Sequence, residues 1–350
     1  MLSSIIWDNP IIPALWLIGC AICTLYYLVH HPLLAAAASA ATTAKEQTPV
    51  SVNYHFSRKC NYKCGFCFHT ETTSSILSLD EAKRGMKLLK EAGMKKLNFA
   101  GGEPFLYPRF LGEVLRYGKS ELGIESMSIV SNGSRITEQF LRENARYIDI
   151  LAISCDSFNP DTNIRIGRGT RGENVGQLAK VAGWCEEFGI KFKINTVVCS
   201  LNWDEDMSEQ IARFRPFRWK VFQCLIVTGE NDNEKRIRDA RSFLVSDEQW
   251  QVFCDRHKHL ECFVPESNEL MKGSYLILDE FMRFLDKGDG EEKASESILE
   301  VGVAKAMRQV RWEQDSFVER GGFYDWTKES TETGTGCCSS GGANAEDLEW

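Results

Sequence analysis

The first 44 residues contain no lysine or arginine, and the first lysine is Lys45. A secretory leader needs a basic start. The uncharged, mostly apolar run from Ile11 to Val29 is therefore read as a membrane anchor. At ~1.5 Å per residue a run of this length nearly crosses a ~30 Å hydrocarbon core. Trp16, Tyr26 and Tyr27 are suited to its interfaces. The rival is a cleaved leader, because Leu33 to Ala44 is rich in small residues. There is also no excess of positive charge: 41 Lys and Arg stand against 49 Asp and Glu, a formal net charge of −8. That disfavours direct nucleic-acid binding and requires any phosphate site to be built from local bases. Thirteen cysteines, an odd and dispersed set, exclude a secreted disulfide framework and point to a reducing compartment. No internal repeat is visible. With 350 residues, 43% of them hydrophobic, the chain suffices for one large α/β domain with appendages.

What the sequence does have is Cys60-Asn-Tyr-Lys-Cys64-Gly-Phe-Cys67, three cysteines between a strand-like run at 50–56 and helix signals from Ser78. Thiolates on one such loop can converge on one metal centre. Three are one short of a closed zinc tetrahedron or a four-cysteine cluster. On a 4Fe–4S cluster the deficit leaves one iron open. The alternative is a zinc knuckle that borrows a distant fourth ligand such as His69.

Strand and helix patterns then alternate. Strands are expected at 50–56, 96–100, 126–130, 148–154, 191–198 and 218–227. The helices between them start with a capping box at Ser78 to Glu81. Six parallel strands with helical crossovers predict an open, partial (β/α)6 barrel of the TIM kind over 50–228, with its chemistry at the strands' C-terminal ends. A C-terminal extension over 229–328 should complete the site. It carries a second capping box at Ser246 to Gln249, a strand over 274–278, a helix from there to about Leu285 and a charged loop at 287–296. Residues 329–350 read as a flexible, Gly/Ser/Thr-rich tail ending in Trp350.

Several side chains stand out as candidates for the site. Gly101-Gly102-Glu103 follows the second strand, where two glycines allow close backbone approach and Glu103 can accept from an ammonium group. Asn132 lies in the turn after the third strand. Lys193 and Asn195 share one face of the fifth strand; Arg218 and Lys220 share one face of the sixth. Strands in such a barrel are covered on both faces. The apolar residues between these cations suit the helix-covered side, so the cations should point inward and call for an anion, which a triphosphate supplies. The rival is that they reach water at strand ends or pair with carboxylates. Lys96 opens the second strand; Asn53 and His55 share a face of the first. Tyr275 reads as a core tyrosine.

The cysteine loop resembles the signature of the radical S-adenosylmethionine (SAM) superfamily. Within that superfamily the chain is similar to the viperin family of antiviral enzymes. The likeness lies in Ser51–Phe56, Cys60–His69, Asn98–Phe105, Ser128–Gly133, Asp149–Ser157, Phe192–Asn195, Arg218–Cys224 and Ser274–Glu280. The resemblance implies a 4Fe–4S cluster on Cys60, Cys64 and Cys67. It implies SAM held by Gly101, Gly102, Glu103, Asn132, Ser154 and Arg168. It implies a 5′-deoxyadenosyl radical that takes the ribose C4′ hydrogen of a nucleoside triphosphate, CTP first, to give the 3′-deoxy-3′,4′-didehydro chain terminator. Lys96, Lys193, Arg218 and Lys220 would hold the triphosphate. Asn53, His55 and Asn195 would line the nucleotide pocket, with Tyr275 beside the ribose as a hydrogen or proton donor. The resemblance also implies an electron donor, recruitment of the cytosolic iron–sulfur assembly machinery through Trp350, and an endoplasmic reticulum membrane location with the catalytic domain in the cytosol. Other readings are UTP or another nucleotide, a radical SAM enzyme acting on a peptide or cofactor precursor, and a metal-containing membrane scaffold. The Gly/Ser-rich segment with Cys337 and Cys338 departs from the family.

Overall fold

The structure is a computed structural model that describes residues 47–172, 174–227, 230–231, 236–286 and 294–328. The expectations for 11–29, for 287–293, for Cys337 and Cys338 and for Trp350 lie outside these residues. From Thr48 onward the chain forms one compact unit. Among the described residues no helix is long and apolar enough to cross a membrane.

Six strands run parallel, side by side in chain order: β1 (Ser51–His55), β2 (Lys96–Ala100), β3 (Ser126–Ser131), β4 (Ile150–Ser154), β5 (Lys191–Val198) and β6 (Arg218–Gln223). Helices return the chain between them: α1 (Leu79–Glu91), α2 (Pro108–Ser120), α3 (Glu138–Asn144), α4 (Pro160–Ile166), α5 (Asn174–Glu187) and α6 (Ser208–Phe214). The sequence starts these helices chemically. Ser78 and Glu81 cap each other's backbone at the head of α1, and Ser246 and Gln249 do the same for α7 (Asp247–His257). Gly93, at φ 95°, ends α1 in a left-handed turn that suits glycine.

The expected barrel gains two strands. β7 (Phe263–Glu266) extends it beyond β6 and β8 (Leu276–Leu278) pairs with β1, both parallel. β7 escaped the sequence reading because it is four residues long and contains Pro265, a strand breaker except at edges. The helix expected up to Leu285 is instead a strand, β9 (Arg283–Leu285), antiparallel to β8 and followed by β10 (Ala294–Ser297). Asp279 causes the reversal. Its carboxylate accepts from the Phe281 and Arg283 amides and pairs with the Arg283 guanidinium, while the Met282 amide closes on its carbonyl. An Asp turn of this kind outcompetes the helix. Part of the expected 287–296 loop is thus β10.

Alternation along each strand sorts the two faces. Val52, Tyr54, Leu97, Phe99, Ile129, Phe192, Ile194, Trp219 and Val221 join one hydrophobic core with helix residues such as Met86, Leu89, Leu111 and Leu115. The intervening Asn53, Lys96, Asn98, Ser128, Lys193, Asn195, Arg218 and Lys220 are left to the other face. This lumen is polar, unlike a closed barrel filled by branched side chains.

Candidate active site

The cysteine loop leaves the C-terminal end of β1 and is held by backbone on two sides. The Lys63 and Gly65 amides donate to the Gly167 and Ile166 carbonyls at 3.0 and 2.9 Å. A methyl on Gly167 would lie 2.3 Å from the Lys63 carbonyl oxygen. On the other side the Gly102 amide donates to the Ser57 carbonyl and the Glu103 amide to that of Lys59, both at 2.8 Å. Methyls on Gly101 and Gly102 would lie 2.5 and 2.0 Å from those same two carbonyls. The glycine pair is therefore required by the cysteine loop itself, before any ligand arrives. Arg58, just ahead of Cys60, forks onto Glu230 and reaches Glu280 at 2.9 Å, and Thr73 donates to Glu280. That buried network ties the loop to the extension.

The Glu103 carboxylate accepts from the Phe105 amide, the Ser131 hydroxyl and the Asn132 amide at 2.7–3.0 Å. Its oxygens are engaged inside the protein. Burial pushes its pKa up against those bonds and the nearby Arg168. Glu103 thus acts as a strut between the turns after β2 and β3. Asn132 continues the strut, donating to Asn61 at 3.0 Å and lying 3.8 Å from the Cys60 sulfur. Arg168 is buried and paired with Asp156. Ser154 ends β4 in register with Asn195.

The three thiols are free. Burial pushes Cys60 up to about 11 and Cys64 to about 12, and the charge of Arg168 pulls both back. The cysteines also oppose one another's ionisation. No three His, Cys, Asp or Glu side chains converge on one ion-sized point among the described residues. His69, the candidate fourth zinc ligand, is buried with its ring edge-on to His55 at 4.5 Å. Three thiols on one backbone-braced loop, with His69 set edge-on to His55, suit a cluster that leaves one iron open.

The cations lie at the other end. Lys96 and Arg218 are the first residues of their strands, and Lys193 and Lys220 sit low on theirs. The cations thus stand toward the opposite end of the strands from the cysteine loop. Lys96 feels the charges of Lys193 and Arg218 although two strands separate β2 from β5. Burial and the cations Lys193, Arg218 and Arg320 hold Lys96 well below its ordinary pKa. Burial, with Arg218 and Arg320, brings Lys193 down to about 7 against the pull of Glu266. Lys96 donates to the Tyr324 hydroxyl at 2.8 Å and lies over the Tyr324 and Trp326 rings. Arg218 lies over Tyr324 and donates to the Gly321 carbonyl. Lys193 makes no ion pair with a described residue.

Lys220 does have a carboxylate partner. It pairs with Glu266 at the end of β7 and donates to the Tyr275 hydroxyl at 2.7 Å. That hydroxyl donates in turn to Glu266 at 2.5 Å. Arg320 reaches Glu266 and stacks on the Tyr275 ring, 3.9 Å from its centre. Burial raises Glu266, but Lys220 and Arg320 outweigh it and hold the carboxyl below its usual range. Burial lifts the Tyr275 phenol well above its ordinary value.

Between the two ends, Ser128 donates to Asn98, Asn98 to Asn53 and Asn53 to the Leu276 carbonyl, at 2.9, 2.8 and 3.3 Å. The Asn53 amide is thus committed to a ladder across the sheet. The Asn195 amide oxygen and Arg218 Nε are buried with no hydrogen-bond partner among the described residues. Such atoms are costly unless a ligand meets them. Higher on β5, Val197 joins Cys64 and Phe66 in a small apolar cluster. One strand face therefore leads from Lys193 to the cysteine loop in four residues, ~13 Å.

Glu266, Arg320, Tyr324 and Trp326 were missed from sequence. The aromatic run Phe323-Tyr-Asp-Trp326, just before the Gly/Ser-rich tail, was the available signal. Nothing local marks Glu266 or Arg320.

The Radical SAM superfamily model matches residues 54–215. The "S-adenosylmethionine-dependent nucleotide dehydratase RSAD2" of Danio rerio is 54% identical over 284 residues, covering 80% of this chain and 79% of the relative. The S-adenosylmethionine-dependent nucleotide dehydratase of Flammeovirga pacifica is 35% identical over 285 residues, 79% of this chain and 96% of the relative. Among solved structures, Streptococcus suis SuiB bound to S-adenosylmethionine superposes with a TM-score of 0.58 at 18% identity, covering 83% of this chain and 72% of that one. The anSMEcpe enzyme with bound AdoMet gives 0.57 at 15%, covering 77% and 83%. These two show the fold.

Proposed function

The chain belongs to the radical SAM superfamily and, within it, to the viperin family of S-adenosylmethionine-dependent nucleotide dehydratases, and from that membership we propose that it removes water from a nucleoside triphosphate, CTP first. Cys60, Cys64 and Cys67 would hold the 4Fe–4S cluster, and the turns at 101–103, 132, 154 and 168 would hold SAM. Together these groups supply the one-electron chemistry that opens an unactivated ribose C–H bond; the protein supplies placement and electrostatics.

The observation that carries the reading is the buried cation set below the cysteine loop. Lys96, Lys193, Arg218, Lys220 and Arg320 share one lumen with Glu266. Among the described residues only Glu266 is ion-paired with members of this set, and Asp149, which also acts on Lys96, is paired with Lys119; the remaining buried positive charge is costly, and a triphosphate is the anion of matching charge. With its phosphates low on β5, a nucleoside spans upward to Asn195, whose free amide oxygen can accept from it. His55 at the top of β1 lines the same side. Tyr275 keeps its proton through burial and through its bond to Glu266. Its hydroxyl oxygen is thereby a proton source for a departing ribose hydroxyl, with Lys220 holding that oxygen in place. Trp326 and Tyr324 close the lower mouth; Ser126 and Lys191 hold this segment through the Trp326 carbonyl and Asp325.

The proposal extends to an antiviral role through a chain-terminating nucleotide. It also includes attachment to the endoplasmic reticulum through residues 11–29 with the catalytic unit in the cytosol, and cluster delivery through Trp350. The deciding experiment incubates anaerobically reconstituted protein with SAM, dithionite and each nucleoside triphosphate. Products are weighed by mass spectrometry. CTP-dependent 5′-deoxyadenosine with a product lighter than CTP by one water is expected. UTP-only turnover would move the base, and SAM cleavage indifferent to every nucleotide would overturn the reading.

A further inference from the structure

Four of the five buried cations are each held by a partner. Lys96 has the Tyr324 hydroxyl, Arg218 the Gly321 carbonyl, and Lys220 and Arg320 share Glu266. Lys193 is buried too, yet it makes no ion pair with a described residue. The register of β5 and β6 sets it directly beside Arg218, whose Nε is buried with no hydrogen-bond partner among the described residues. On its other side β4 offers only Ala152. An amine without a partner thus stands next to a guanidinium donor without an acceptor.

The charged groups that act on Lys193 are Arg218 from β6, Glu266 from β7 and Arg320 from the extension. Lys193 in turn acts on Lys96 and Lys220. Glu266 is the one carboxylate in this set, and it is committed to Lys220 and Arg320. Burial first, then Arg218 and Arg320, bring the Lys193 pKa down to about 7. Slightly above neutral pH the side chain is therefore mostly a neutral amine with a free lone pair.

We infer that Lys193 is a carbon dioxide-binding lysine, carried as a carbamate when no nucleotide occupies the lumen. The inference rests on the proposed triphosphate site and adds a regulator to it. The amine lone pair forms a bond to the carbon of carbon dioxide, and one C=O π pair moves onto oxygen. The nitrogen then releases one proton to solvent, and nothing is oxidised or reduced. A neutral amine becomes an anion beside the unused Arg218 Nε–H, where a charge-assisted hydrogen bond is strong. A surface lysine lacks both conditions, because it is protonated at neutral pH and its carbamate would meet no buried cations. Lys220 lacks the second, because an anion there would face Glu266. Carbamate and triphosphate draw on the same cations, so each should exclude the other.

The test uses the full chain after anaerobic reconstitution, as wild type and as Lys193→Arg, which keeps a cation but offers no neutral amine. Each protein is equilibrated near pH 8 with isotopically labelled bicarbonate, the source of carbon dioxide. Triethyloxonium then traps any carbamate as its ethyl ester, and peptide mass spectrometry locates it. The labelled ester should appear on Lys193 well above the level on surface lysines. It should vanish in buffer free of carbon dioxide and on saturation with tripolyphosphate. By calorimetry, carbon dioxide should weaken tripolyphosphate binding to wild type, about twofold when its concentration equals its own dissociation constant. Binding to Lys193→Arg should not respond. Absence of the ester from Lys193 in folded wild type, or a level no higher than on surface lysines, would overturn the inference whether or not the variant folds. A carbamate that persists under saturating tripolyphosphate would leave the modification standing and overturn the triphosphate site beneath it.

Discussion

Lys193 offers the most direct test of the anion site. It is 9% exposed and has a pKa of about 7, down from 10.5. At about 1.4 kcal/mol per unit that drop corresponds to roughly 5 kcal/mol. The folded value lies below the unfolded one, so between pH 7 and 10.5 the unfolded chain binds more protons and stability rises with pH. Below pH 7 the destabilisation is fully present. A bound triphosphate supplies the missing counter-charge and raises the pKa again. Binding at pH 8 should therefore draw a proton from solvent, which calorimetry detects as a dependence of binding heat on the buffer's ionisation enthalpy. Affinity should fall by up to about tenfold per pH unit above 7. Lys193→Met keeps the stem and removes the charge. It should weaken triphosphate binding by ~1.5–3 kcal/mol, the worth of a hydrogen bond to a charged group, and cut proton uptake by about one. Uptake should not vanish, because Lys96 is depressed by the same causes. The substrate-free variant should melt higher than wild type at pH 6. Unchanged affinity and proton uptake, together with a lower melting temperature, would show that Lys193 is a structural cation and that its charge is not waiting for an anion.

Three further outcomes follow from the geometry. Glu266→Gln removes the carboxylate shared by Lys220 and Arg320. It should cost about 3–5 kcal/mol by chemical denaturation, and tripolyphosphate should restore more stability to the variant than to wild type; an equal rescue would mean that the phosphates bind elsewhere. Gly102→Ala would drive a methyl to 2.0 Å from the Lys59 carbonyl oxygen, so iron loading should drop steeply while the far-ultraviolet circular dichroism stays near wild type, and full loading would contradict the close crossing. Cys64→Ala should leave the barrel folded but lose the cluster, read as iron per chain after anaerobic reconstitution, with wild-type iron content as the contrary result.

The sequence was most informative where function is written in local pattern. The cysteine spacing, the glycine pair and the alternation Lys193–Asn195 and Arg218–Lys220 are all short-range signals, and six strands and two capping boxes followed from period and end chemistry. It was least informative where the partner is remote. Glu266 meets Lys220 from a four-residue strand broken by proline, and Arg320 reaches it from 54 residues further on. The helix written for residues after 278 failed because one side chain, Asp279, turns the backbone before helical periodicity can act. Glu103 shows a subtler limit. Spacing gave its place in the motif but not the three hydrogen bonds by which its carboxylate joins two turns. Burial, which sets those bonds, cannot be read from spacing.

The same buried charges support the proposal that the extension belongs to the catalytic unit. Lys96 and Arg218 stand at the first positions of their strands, where a bare barrel would leave them facing water at its lower mouth. The segment that covers them brings Tyr324 and Trp326 for their charges to lie against and Gly321 to accept from Arg218. It also brings Arg320, which adds another cation to the set it encloses. Closing the mouth therefore desolvates the lysines and raises the positive potential at once. Protein stability alone would favour neither change. Both increase the affinity of the lumen for a polyanion, and both fix it at the end remote from the cysteines. On the proposed reading, the remaining length of lumen is left to the part of the substrate that must meet the reactive group.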